Sequence, residues 1–61
     1  MANRKAVIER AEQLLWVVLR CDVENLASQR RSAMAALAAV EARAAELGIR
    51  DLYREITRLV G

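Results

Sequence analysis

Apolar side chains recur at Val7, Ile8, Ala11, Leu14, Leu15, Val18 and Leu19. These steps of three and four gather them along one side of an α-helix. Asn3, whose amide oxygen can accept from a first-turn N–H, is the expected N-cap of a helix that begins at Arg4. Within that helix the run Leu14-Leu15-Trp16-Val17-Val18-Leu19 is apolar at every position. Successive helical residues are about 100° apart, so the run points in all directions around the axis and leaves no face for water. Part of it is therefore expected to be covered by a second copy of the chain or by a different partner. Trp, Val and Leu in so short a run also suit a buried strand. No other segment offers a partner strand, so a strand there would have to pair with a symmetry mate.

Between Asp22 and Ser32 the chain turns polar without a Gly or a Pro to end the helix, and Ser28 to Ser32 is polar at all five positions. Asp22, Asn25, Ser28 and Ser32 are each acceptable caps. Two arrangements fit. In one, a turn near Ser28 to Ser32 separates two helices that fold against each other. In the other, a single helix runs from Arg4 to Leu47, a rod of about 65 Å. The stripe Ile8, Ala11, Leu15, Leu19, Val23, Leu26, Ala33, Leu37, Val40, Ala44 and Leu47 can be traced through the disputed region, interrupted only at Arg30.

Residues 33–47 make the strongest helix, since eight of the fifteen are Ala, the best helix former. Ala33, Leu37, Val40, Ala44 and Leu47 alternate steps of four and three, a coiled-coil spacing whose small members let a neighbouring helix approach closely. Gly48 then stops the helix: glycine takes the left-handed conformation of a C-cap at no steric cost, and the apolar Ile49 can fold back on the last turn. Asp51 is positioned to cap a further helix carrying Leu52, Ile56 and Leu59 on one side, flanked by Tyr53 and Val60. At about ten residues it is too short to stand alone and must dock. The expected fold is one all-α unit spanning 1–61, with helices at about 4–27, 32–47 (or these two continuous) and 51–60. Such a helical hairpin or three-helix arrangement would assemble as a dimeric helix bundle.

The series Ala44-Ala45-Glu46-Leu47-Gly48-Ile49, followed by Leu52-Tyr53-Arg54 and Leu59, is similar over about eighteen residues to the helix-turn-helix of bacterial activators and nucleoid proteins. That resemblance implies a recognition helix after the turn. The chain departs from the motif by two missing residues between Ile49 and Leu52, which brings Arg54 and Thr57 to positions that should be apolar. A ribbon-helix-helix repressor is a second resemblance, with Val17 to Arg20 as its paired strand. Here, however, the segment lies away from the N-terminus and the helix pair is long for that family. Leu47-Gly48-Ile49 is equally what an ordinary helix C-cap looks like, and it is taken as one.

Composition narrows the choices further. A chain of 61 residues buries only about 60% of its unfolded surface. Twelve of its thirty-four apolar residues are Ala, which adds little area each. Small proteins make up such a deficit with disulfides, a metal or oligomerisation. Cys21 is the single cysteine and there is no histidine, which excludes an intrachain disulfide and leaves none of the usual zinc ligand sets. Oligomerisation remains. Without histidine or a Gly-rich loop, no nucleophile pair or phosphate cradle can be assembled, and no catalytic, cofactor or metal residue is assigned. Glu9 with Glu12, and Asp51 with Glu55, are taken as solvated faces, and Cys21 as a small buried hydrophobe.

Arg4 and Lys5 could open a signal peptide, but Glu9, Arg10 and Glu12 interrupt its apolar region. The run at 14–19 is far short of the roughly 18 to 20 apolar residues that span a bilayer. A soluble, cytoplasmic protein that does not contact membrane is expected. Nine Arg and one Lys against six Glu and two Asp give a net charge of +2. The excess lies in the second half, where Arg50, Arg54 and Arg58 form one line and Arg30 and Arg31 a second cluster. Leu15, Trp16, Leu19, Val23, Leu37 and Val40 are the expected protein interface, with Trp16 as the residue type most often found as an anchor. The expected function is a non-enzymatic, homodimeric regulatory module of bacterial or phage style that binds and inhibits or adapts a partner protein. The alternative is a small dimeric nucleic-acid-binding regulator using Arg30, Arg31, Arg50, Arg54 and Arg58.

Overall fold

The computed structural model describes residues 3–61, which form three helices and no strand. Helix α1 spans Arg4–Glu24, α2 spans Ala27–Glu46 and α3 spans Leu52–Val60. The Asn3 side chain caps α1, its Oδ1 accepting from the Ala6 N–H at 2.8 Å. The run 14–19 is helical, which corrects the strand alternative. Leu14 and Val18 face inward one helical turn apart, so the period of 3.6 prevails over local β-propensity. Val17 to Arg20, the strand of a ribbon-helix-helix, are helical as well.

The chain leaves α1 at Asn25, not within Ser28 to Ser32, and α2 begins at Ala27 instead of residue 32. Asn25 adopts the left-handed conformation (φ 57°, ψ 42°) and donates its N–H to the Cys21 carbonyl. The Leu26 N–H donates to the same carbonyl at 2.9 Å. This is the capping usually supplied by glycine, performed here by the side chain that best tolerates it after glycine. Ser28 to Ser32 fall on the first turns of α2 and are all exposed. Their polarity marks the open end of a hairpin and does not mark a loop.

The two long helices run antiparallel, with Arg30 ion-paired to Asp22 beside the turn and Val7 beside Val40 and Arg43 at the other end. The seam of α1 is Val7, Ala11, Leu14, Val18 and Cys21, with Ile8 beside it. This replaces the expected stripe through Leu19 and Val23. Steps of four and three match the seam of α2, where Ala33, Leu37 and Ala44 are buried and Val40 and Leu47 partly so. Ala11 has no exposed surface, so the helix backbones meet closely at that point.

Gly48 (φ 78°) ends α2. The Ile49 N–H donates to the Ala44 carbonyl at 3.0 Å and the Gly48 N–H to the Ala45 carbonyl at 3.1 Å, the two bonds of a Schellman motif. Ile49 and Ala44 complete it by joining the same core. Asp51 caps α3, accepting from the Arg54 N–H at 3.1 Å. Leu52 and Ile56 fasten α3 into the core beside Ile8, and its packing is chiefly on α1. In this chain the helix after the turn is braced by the first helix, not by the one that precedes the turn.

Candidate functional site

Two surfaces stand out, one apolar and one cationic. Trp16 is 59% exposed, Leu19 47% and Val23 83%. Their spacing of three and four places them within about 60° of one another around the α1 axis. The seam uses Leu14 and Val18 from the apolar run, and Leu15 packs partly against the core. Leu19 is left outside on one flank, Val17 on the other, and Trp16 on the face opposite the seam.

The apolar flank can be located relative to α3. Arg4, Lys5 and Ile8 line a depression with Glu55, Arg58 and Leu59 of α3. Moving along α1 by helical spacing, the same side continues through Glu12 to Trp16, Leu19 and Val23. Helix α3 has nine residues, about 14 Å of helix, and covers only the first part of that side. On α2 the corresponding side holds Glu41, which acts on Tyr53 of α3. Two turns earlier lies Met34, an exposed methionine. The stripe is thus the uncovered continuation of the flank on which α3 docks, with Met34 at its border.

The residues expected to form one interface therefore divide. Trp16, Leu19 and Val23 are at the surface. Leu37 is 2% exposed and belongs to the core within the chain, so it is not available to a partner. Leu15 and Val40 are partly buried against that core. The physical reason is the shift of the α1 seam, because a single hairpin satisfies the α2 stripe from inside. Cys21 is buried, in the hairpin seam near the Asn25 turn, which removes its sulfur from any bridge at the surface.

The expected arginine clusters also divide. Arg30 is ion-paired with Asp22 and Arg31 is exposed on α2, whereas Arg50, Arg54 and Arg58 share one depression at the opposite end of the molecule. Arg4 enters the same depression from α1 and places its guanidinium 3.4 Å from the Glu55 carboxylate, which Arg58 also approaches at 3.7 Å. Arg4 was not among the expected residues, and no local spacing pairs residue 4 with residue 55. Among the described residues no cluster of three or more His, Cys, Asp or Glu side chains is placed to hold a metal ion. Nor, among those residues, is any helix long and apolar enough to cross a membrane.

Tyr53 offers a titration probe of how α3 sits. Partial desolvation of its ring, followed by the negative charge of Glu41, pushes its phenol above the ordinary value of 10.0. It is the single tyrosine of the chain, so a titration followed by phenolate absorbance reports it alone. Ionisation is expected above that ordinary value, and Glu41→Gln should lower it. Because the folded state favours the neutral phenol, the associated stabilisation is present below about pH 10 and is lost as pH rises through the folded value. An ordinary value in the wild type, unchanged in Glu41→Gln, would contradict this placement of α3.

No protein-family model, curated protein or solved structure matches the chain.

Proposed function

We propose that this protein is a small, non-enzymatic, cytoplasmic interaction module that self-associates through the Trp16, Leu19 and Val23 stripe and acts by binding and modulating another protein. One observation supports this reading above the rest. Three large apolar side chains, including the single Trp, share the outward side of α1 and remain exposed after α2 and α3 have packed. Isolated exposed apolar residues are ordinary, but a contiguous group centred on Trp has the composition of an interface anchor.

A stable interface takes about 800 Å² from each partner, which is about a sixth of the 4561 Å² that this chain exposes. The stripe alone is smaller than that. The interface would therefore extend over Leu15 and Met34 and onto the polar rim at Glu12 and Arg20. In a dimer the two stripes would face each other across a twofold axis. The partner protein would meet the outer faces of the assembly.

Sedimentation equilibrium across a dilution series tests the assembly. The wild type is expected as a dimer or larger species. Trp16→Ala is expected to weaken association about 30-fold, the equivalent of a hot-spot loss of about 2 kcal/mol. Leu19→Ser with Val23→Ser should act in the same direction. All three side chains lie outside the core, so the helical signal of the dilute variants should persist. A wild type that stays monomeric at every concentration, or a Trp16→Ala variant with unaltered mass, would overturn the interface assignment.

A further inference from the structure

The α1–α3 end of the molecule concentrates its positive charge. The two adjoining depressions there are lined by five cationic side chains, Arg4, Lys5, Arg50, Arg54 and Arg58, against the two carboxylates of Asp51 and Glu55. Everywhere else, five cationic side chains face six carboxylates. The net charge of +2 therefore arises wholly from this end. The carboxylates are also partly engaged, since Asp51 Oδ1 accepts the Arg54 N–H as the cap of α3 and Glu55 lies between Arg4 and Arg58. The hairpin end is different, for there Arg20 pairs with Glu24 and Arg30 with Asp22.

We infer that this end is a second, independent binding surface, and that its ligand is the phosphate backbone of duplex nucleic acid. The arginines do not converge on one point. Arg54 and Arg58 stand about 6 Å apart along α3, Arg50 lies before the Asp51 cap of that helix, and the side chains of Arg4 and Arg58 are more than half exposed. A lone phosphate would reach one or two of them, whereas a strand that repeats its charge at short, fixed intervals engages the series. All but one of the cations are Arg, whose planar fork matches phosphate oxygens in pairs. No Asn or Gln lines either depression, so the amide contacts that read adenine are missing and the phosphates are the expected target. Glu55, between Arg4 and Arg58, acts as an internal competitor for the same guanidiniums. The inference does not rest on the apolar stripe, which lies beyond α3 on the flank of α1.

Fluorescence anisotropy with a labelled DNA duplex of mixed sequence tests it, using the full chain. Four arginine–phosphate contacts give a log–log salt slope of about −3.6, hence an affinity loss of about 150-fold between 50 and 200 mM salt. Arg54→Ala and Arg58→Ala should each flatten the slope by about 0.9, while Arg31→Ala at the hairpin end leaves it unchanged. Glu55→Gln should tighten binding, an outcome that damage to the fold would not produce. Circular dichroism confirms that each variant is helical. The proposal is overturned by an absence of duplex binding at 50 mM salt, by binding that survives Arg50, Arg54 and Arg58 all changed to Ala, or by preferential binding to anionic lipid vesicles. Trp16→Ala separates the two surfaces: it should leave the salt slope per chain in place even where it dissociates the assembly.

Discussion

Leu37→Ala is expected to leave the chain largely unfolded at physiological temperature. Leu37 is the most buried large side chain of α2 and packs in the one core cluster with Leu14, Ile49 and Leu52. It thus sits where all three helices contribute. Truncating a buried Leu costs about 2–5 kcal/mol through lost transfer energy and the cavity left behind. A domain of this size has about 3–9 kcal/mol in total. A loss near 3 kcal/mol would lower the melting temperature by about 12–24 °C. Thermal unfolding followed by far-UV circular dichroism, at one fixed protein concentration because association also stabilises, is the measurement. Trp16→Ala in dilute solution is the contrast, with little effect expected. A Leu37→Ala variant that melts like the wild type would mean that the hairpin core is assigned to the wrong face of α2.

Ala11→Leu should destabilise by the opposite route. Ala11 has no exposed surface and lies in the α1 seam, within the core cluster that includes Leu37 of α2 and Ile56 of α3. Three added carbons have no space to enter unless the helices separate, and overpacking of this kind costs about 1–3 kcal/mol. Ala35→Leu adds the same group at an exposed position of α2 and should change little, since Leu is nearly as good a helix former as Ala. Comparing the two melting curves isolates the closeness of helix approach. Equal melting temperatures would show that α1 and α2 do not meet tightly at Ala11.

Features written in consecutive residues were legible from the sequence. Asn3 and Asp51 as caps, the Ala-rich helix, the stop at Gly48 and the short last helix all follow from local chemistry that acts within one or two turns. The reversal at Asn25 was harder to place, because a left-handed Asn does the work of a glycine and the more conspicuous polar run at Ser28 to Ser32 lies just beyond it. The seam of α1 was ambiguous for a different reason. With six apolar residues in a row, a stripe through Val7, Ala11, Leu14 and Val18 and one through Leu15, Leu19 and Val23 are both continuous. Only the partner helix decides which is inside. That choice left Trp16 outside, while closure of the hairpin took Leu37 of α2 from the expected interface into the core. The approach of Arg4 to Glu55 depends on tertiary docking alone, and no spacing rule reaches across fifty residues.

The two-residue link at Asn25 and Leu26 has a kinetic side. It makes every contact between α1 and α2 near the turn local in sequence, so the hairpin can close from the Asp22–Arg30 end towards Val7 and Val40 with little loop entropy to overcome at each step. The contact of α3 with the start of α1 is the reverse case: joining Glu55 to Arg4 closes nearly the whole chain into a loop. The hairpin is therefore expected to form first and α3 to arrive last, on a platform already built. In the finished molecule α3, nine residues packed chiefly on α1, is expected to be the easiest part to lift. Of the five cations at that end, Arg54 and Arg58 are thus carried by the helix expected to detach most readily, whereas the apolar stripe is carried by the hairpin expected to form first.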